Sequence, residues 1–504
     1  MPKRIAAYTL ALPPRDPETP AYLWLCAALR SEILEGRLRP GARLPATRDL
    51  AAQYGLSRGT IVAGFEQLKS EGYVTGSVGS GTFVNSVLPD ELLHVARWSR
   101  ADPLPPSHRK RRWSDFAKRL EPFGNPGLPQ TRAFRANQPA LDLFPATLWA
   151  QVASRRLRRI STELLRGCDP MGYRPLQEAV ANYLGASRGV NCVAEQIAIV
   201  SGVQESLDIV ARLLLDPGDR VCMEDPGYDG ASRVFEAVGA KIHAAPLDDE
   251  GMVLPGRRSR GAKLVYVTPA HQFPVGSTMS LPRRLELLEW ARSNGALIFE
   301  DDYDGEYRYS GRPVPALQGL DRHGIVLFAG SFSKVLFPSL RLGYVVIPPD
   351  LVDRFGMTQA ITNRHAPLLE QAVLCDFMTA GHFGRHLRRM REVYATRLSV
   401  LQEGTRRELA GLLEIAGVEA GLQAAGWLSD GIDATSAANS AARRNVEVTP
   451  LSRYSRRAVA RQGLQLGFAA VDAHEIRRGI RELARVLEST ARTSHSGRTR
   501  DALR

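Results

Sequence analysis

Ser331-Phe332-Ser333-Lys334-Val335-Leu336-Phe337-Pro338-Ser339-Leu340-Arg341-Leu342-Gly343-Tyr344 lies between two apolar runs, residues 325–328 and 344–347. Each run has the length and composition of a buried strand. A lysine in that position, with hydroxyls before it (Ser331, Ser333) and an arginine after it (Arg341), suits a phosphorylated aldehyde cofactor. The Lys334 amine would form a Schiff base, and the hydroxyls and guanidinium would hold the phosphate. Taken alone, the segment also reads as a surface Lys/Arg pair in a loop, because a Ser-x-x-Lys spacing is common.

Three other stretches bear on the choice. Residues 296–304 run from an apolar strand into Glu300-Asp301-Asp302-Tyr303-Asp304, and ligand groups sit at the carboxyl ends of strands in α/β sheets. A pyridoxal ring needs a carboxylate on its pyridinium nitrogen to act as an electron sink. Asp301 is assigned that role and the Tyr303 hydroxyl the ring's phenolic oxygen; the alternative is a solvated acidic turn. Residues 197–205 followed by Leu207, Val210, Ala211 and Leu214 read as strand, tight turn and helix. The N–H groups around Gly202, Val203 and Gln204 would then face a phosphate. Residues 222–228 place Tyr228 after a strand and a turn, where its ring can stack on a cofactor.

These stretches, in this order and spacing, resemble the fold-type-I aminotransferases. EDDYDGEYRY (301–309 with its preceding glutamate) and SFSKVLFPSLRLGY resemble more closely the MocR-type subfamily of GntR regulators. The resemblance covers nearly the whole chain. It implies a winged helix-turn-helix fused to an α/β aminotransferase-like domain with a large, mostly parallel sheet and a smaller C-terminal lobe. It implies pyridoxal 5'-phosphate (PLP) as cofactor, a DNA operator as partner, and a head-to-tail homodimer in which each DNA-binding unit rests on the partner's aminotransferase-like domain. In the loop 268–276 it points to His271 and Gln272 for polar contacts to the ring.

Two positions depart from the aminotransferase pattern. Gln465 stands where the family's strand carries an arginine for the substrate α-carboxylate, and a neutral amide cannot make a bidentate, charge-assisted pair. Gly167 stands where the family often has a tyrosine for the neighbouring subunit's phosphate; Tyr173 is nearby. Cofactor binding is therefore expected and amino-acid binding impaired. Some regulators of this subfamily answer to the cofactor itself, notably those controlling vitamin B6 synthesis, and others to an amine or amino acid; the missing arginine favours the first group. Arg233 and Arg461 remain open as substitutes.

The N-terminal part has its own pattern. Residues 22–34 carry helical apolar spacing; a second helix lies in 44–54 with Thr47 as N-cap; Ser57 caps a third, residues 58–71. Residues 73–75 and 82–84 flank a glycine-rich turn as a hairpin. Such a unit sets its recognition helix into the major groove. Arg48, Ser57, Arg58 and Thr60 are assigned to phosphates or base edges, and the wing glycines Gly79 and Gly81 to close backbone approach. An ordinary small helical domain is the alternative, and the segment GRLRPGARLPATRDLAAQYGLSRGTIVAGFEQLKSEGYV resembles the GntR winged helix.

Composition bounds the rest. At 504 residues, two or three domains are expected: residues 1–85 for DNA, a Pro/Arg-rich linker over 86–132, the aminotransferase-like domain over 133–487, and a disordered tail over 488–504. The net charge of +13 favours a polyanionic partner. The five cysteines are scattered without a Cys-x-x-Cys pair, which gives no metal site and fits a reducing compartment. No apolar run approaches the roughly 18 residues that span a bilayer, and a cytoplasmic location without membrane partner is expected. Three functions compete: a regulator whose PLP-binding domain is a sensor, a working aminotransferase with an accessory DNA-binding domain, and a DNA-binding protein with a dimerisation scaffold. The first is the expectation, because Lys334 is the one lysine near a plausible site and Gln465 weakens the second.

Overall fold

The computed structural model describes residues 10–16, 18–77, 81–87, 112–121, 131–254, 261–310, 315–415 and 417–501. The chain divides into two compact units, Met1–Arg111 and Arg112–Arg504.

In the first unit, α1 (Ala21–Leu34), α2 (Thr47–Tyr54) and α3 (Arg58–Ser70) precede a hairpin of β1 (Val74–Ser77) and β2 (Gly81–Val84). Leu25, Leu29, Ile33, Leu50, Ile61 and Leu68 recur at helical spacing and close a small core with Val74 and Val84. Gly64 lets α3 approach α1: a Cβ there would lie 3.0 Å from Leu25. The Ser57 hydroxyl accepts from Thr60 N–H, as expected of a cap. Thr47 does not cap α2. It is the first helical residue, and Ala46 before it offers no side-chain acceptor. Leu44 and Leu50 bury on either side, which sets the helix entry by packing.

The second unit holds an eight-stranded sheet. Its strands in chain order are β3 (Ile197–Val200), β4 (Arg220–Asp225), β5 (Lys241–Asp248), β6 (Gly251–Met252), β7 (Ala262–Val267), β8 (Leu297–Asp302), β9 (Val326–Ser331) and β10 (Gly343–Val346). Across the sheet they run β3-β10-β9-β8-β7-β4-β5-β6, parallel from β9 to β5, with β10 and β6 antiparallel. Central strands are apolar without alternation, as expected where helices cover both faces. The order turns back at β4, so the carboxyl ends of β4, β7, β8 and β9 gather at one edge, where open α/β sheets bind ligands.

A second sheet, β11 (Leu413–Ile415), β12 (Gln423–Leu428), β13 (Thr449–Pro450) and β14 (Gly463–Gly467), forms the small lobe in the order β11-β12-β14-β13. Ala133 and Phe134 bridge to Val446 and Gly467, so the start of this unit is pinned to its end.

Two expectations fail here. Residues 114–120 do not behave as linker: Ser114 caps a helix, Asp115–Arg119, that packs on its own unit through Arg119 to the Ala237 carbonyl and Phe116 beneath Arg212. The basic run at 109–112 lies outside the described residues except for Arg112. Nor does the chain beyond Glu488 lack regular structure: the last helix runs from Ala473 to Asp501. Ile476, Ile480, Leu483 and Leu487 anchor its first turns, and propagation from a held helix adds one hydrogen bond per residue ordered.

Candidate cofactor site and DNA-binding surface

Lys334 sits in the short helix Phe332–Val335 that leaves β9. Its Nζ donates to the Asn137 carbonyl at 2.8 Å. Burial lowers its pKa, and the carboxylates of Asp304 and Asp301 offset this only in part. A depressed ammonium pKa leaves more free amine near neutrality, which a nucleophilic lysine requires.

Asp301 is the second-last residue of β8, and its charge acts on Lys334. One carboxylate oxygen accepts from the Tyr266 hydroxyl at 2.7 Å. The other, Oδ1, is buried and has no partner. Burial raises the carboxyl pKa to about 7, with the Tyr266 hydrogen bond acting against it. A buried carboxylate oxygen left unpaired is costly, and a pyridinium N–H is the group that would complete it.

The Tyr303 hydroxyl lies 3.0 Å from His271 Nδ1, which in turn lies 2.9 Å from Asp304 Oδ1. His271 is buried, not solvated, and packs beside Gly276 and Gly421, where a Cβ on Gly421 would overlap its ring. It therefore positions Tyr303. Gln272 is spent on the loop itself: its amide donates to Glu224, Pro226 and Phe273 and accepts from Val275 N–H. Its assignment to the ring does not survive, since the loop's own polar backbone consumes it.

The phosphate end lies between β3 and β10. Gly202 has φ +132, and its missing Cβ would stand 3.5 Å from the Arg341 guanidinium. Any side chain there would enter the space the guanidinium faces. Val203 and Gln204 begin the helix Val203–Leu214, whose first N–H groups have no carbonyl ahead of them. The Gln204 side chain is engaged with the Gly230 carbonyl and Tyr228 hydroxyl, so only its backbone is available. Ser333 Oγ is buried without a partner, while Ser331 Oγ accepts from Ser333 N–H and caps the Lys334 turn. Arg341 holds a left-handed backbone, φ 49, that a non-glycine residue rarely adopts. Tyr228 is half-buried, with its ring edge-on to Phe273.

The structure thus brings Lys334, Asp301, Tyr303, Tyr228, Gly202, Ser333 and Arg341 to one edge. It also adds residues that the sequence reading missed. Tyr266, Asp304, Asn137 and Gln423 all contact the assigned set; Gln423 accepts from Asn137 N–H and reaches the Tyr303 hydroxyl at 3.5 Å. Asp304 lay inside the acidic motif and was the one of these with a signal. The substitutes for the lost arginine are engaged elsewhere: Arg461 pairs with Glu414 over Trp427, and Arg233 with Asp229 and Glu121. Tyr173 packs among Leu164, Leu368 and Ala372 of its own chain. Among the described residues no group of His, Cys, Asp and Glu could hold a metal.

On the first unit, Arg48 and Arg58 are exposed at the starts of α2 and α3. Arg48 has only a 3.4 Å contact to Asp49. The Ser57 and Thr60 hydroxyls lie 2.8 Å apart and complete the cap, which leaves them less free for DNA than assigned. Gly81 has φ +100, and a Cβ there would lie 2.7 Å from Nε of Arg43, whose guanidinium sits over Phe83. Arg43 is an exposed cation on the wing that the reading missed. Gly79 lies outside the described residues.

A winged helix-turn-helix and a fold-type-I aminotransferase-like site on one chain define a class of regulator. Residues 22–84 match the gntR family of bacterial regulatory proteins, and residues 133–483 match aminotransferase class I and II. The chain is 39% identical to the probable rhizopine catabolism regulatory protein MocR of Rhizobium meliloti, over 93% of this chain and 94% of that one. It is 29% identical to the pyridoxine biosynthesis transcriptional regulator PdxR of Corynebacterium glutamicum, over 95% and 98%. Among solved structures it is similar to the α-aminoadipate aminotransferase LysN of Thermus thermophilus, with 28% identity, TM-score 0.69, and 75% and 97% covered. The chain belongs to the MocR-type GntR transcriptional regulators.

Proposed function

We propose that this regulator holds PLP on Lys334 and that occupancy of the site changes its affinity for a DNA operator. The observation that carries this is the buried, unpaired Asp301 oxygen at the edge where Lys334 places a desolvated amine. When bound, the cofactor supplies an aldehyde for the lysine and a ring that withdraws electrons. Asp301 would pair with the ring nitrogen, Tyr303 would donate to the phenolic oxygen with His271 and Asp304 fixing its hydroxyl, and Tyr228 would pack against the ring. Arg341, Ser333 and the N–H groups after Gly202 take the phosphate. The effector is PLP or a PLP adduct with a small amine or amino acid, and the regulated pathway is vitamin B6 or amino-acid/amine metabolism; the relatives' names give pyridoxine biosynthesis and rhizopine catabolism for those proteins.

Linkage sets the mechanism: a ligand shifts DNA affinity only if it binds two arrangements of the protein unequally. The family resemblance supports a head-to-tail homodimer as the assembly that couples them, and a cytoplasmic location; no described helix is long and apolar enough to cross a membrane. Gln465 argues against a working aminotransferase. The test is an absorbance spectrum of the full chain with and without PLP beside operator binding in both states. A band at about 410–430 nm, the range of a protonated Schiff base, should appear, and DNA affinity should change with it. A band without any change in DNA binding would reject the sensor reading, and conversion of PLP to pyridoxamine phosphate by an amino acid would favour the enzyme.

A further inference from the structure

One face of the small sheet borders the candidate site. Gln465 and Gly467 on β14 face the same way, paired with Ala425 and Gln423 on β12. Gln423 touches Asn137 and Tyr303, and Asn137 accepts from Lys334, so this face of the small lobe borders the reactive amine. Gln465 is fully buried. Its Oε1 accepts from the Tyr454 hydroxyl at 3.1 Å, and its Nε2 has no partner. The Tyr454 ring packs on Phe273 at 4.9 Å, and Phe273 packs on both Tyr228 and Tyr303. Gln465 is thus joined by direct contacts to the groups that flank the ring.

We infer that the ligand taken beside the cofactor is an amine that carries a neutral hydroxyl where an amino acid carries its α-carboxylate. This rests on the cofactor reading above. The free Nε2–H can donate to a hydroxyl oxygen but, unlike a guanidinium, brings no positive charge to a carboxylate. A carboxylate in the same place would be desolvated against a neutral amide, and an unpaired buried charge is strongly disfavoured. Arg135 pairs with Glu447, Arg456 with Glu236 and Arg457 with Asp225, so these three arginines already have carboxylate partners. Arg453 is exposed and is the one control the geometry demands.

Serinol and L-serine differ by a hydroxymethyl in place of the carboxylate, and they separate the two chemistries. In calorimetric titrations of the PLP-loaded full chain, serinol should bind on the order of ten-fold or more tighter, the scale of one charged group left unpaired. Gln465→Arg should reverse the order. Gln465→Met, which keeps the volume and removes the donor, should weaken serinol while the PLP band stays. Tighter L-serine binding in the wild type, abolished by Arg453→Ala, overturns the inference and transfers the carboxylate to Arg453. An unchanged order in Gln465→Arg with its PLP band intact also overturns it. Failure of the wild type to show any PLP band overturns the cofactor reading instead.

Discussion

The two sides of the cleft differ in kind. The side built by β8, β9 and the turn after β3 keeps a lysine, a buried carboxylate, a tyrosine and an arginine around a glycine that leaves them room. The side built by β12 and β14 presents glutamines. A ring with a charged nitrogen and a phosphate needs fixed charges, which only the first side offers. The second side offers neutral hydrogen bonds, which select by shape and donor pattern and give little orientation to a charged substrate. The contrast matches the proposed sensor, in which one side would hold a cofactor while the other would give an amino acid little orientation.

The largest effect should come from Lys334→Ala, which should abolish the cofactor band and leave no borohydride-reducible link. A full band in that variant would move the site to another lysine and dissolve the contrast. Next is Asp301→Ala. Removing one partner of a buried charge pair costs about 3–5 kcal/mol, so PLP affinity should drop and the band should shift. Arg341→Ala should cost about 1.5–3 kcal/mol through the phosphate, the usual value of a charged hydrogen bond. Equal PLP affinity in both variants would show that the charged side does not hold the cofactor.

Substitutions in the first unit should leave the cleft alone. Arg58→Ala and Arg48→Ala should weaken operator binding by about 1–3 kcal/mol each while PLP spectra are unchanged. Wild-type binding should also fall steeply with salt, because neutralised phosphates release counterions. Unaltered operator binding in the double variant would place the recognition surface elsewhere.

The smallest effect is on stability. Burial raises Asp301 and Glu224 each to about 7, above their ordinary values of 3.8 and 4.5. The folded apo-protein then binds protons more tightly than the unfolded chain between those limits, so stability is full below the ordinary values and is lost as pH rises through about 7. The apo-protein should melt at a higher temperature at pH 5 than at pH 8. PLP should narrow that gap by supplying a charge partner to Asp301. A flat profile in the apo-protein would mean that neither carboxyl is as desolvated as its burial indicates.

The sequence alone carried a great deal. Lys334 between two apolar runs, the acidic end of β8, and the glycine before the helix Val203–Leu214 were legible because covalent chemistry, charge and backbone freedom each demand a residue type at a fixed local spacing. The same holds for the Ser57 cap and the helix periods of the first unit. What required the tertiary structure was every contact made across long separations. Tyr266 on Asp301, Asn137 on Lys334 and Tyr454 on Gln465 come from different strands and loops, and no local period encodes them. The resemblance points to both His271 and Gln272 for the ring; the fold buries the first behind Tyr303 and engages the second with Glu224 and its own loop. The chain beyond Glu488 lacked an apolar period, yet the packed turns before it carry the helix on. Residue chemistry fixes what a site can do, and side-chain packing across the chain decides which of those residues are free to do it.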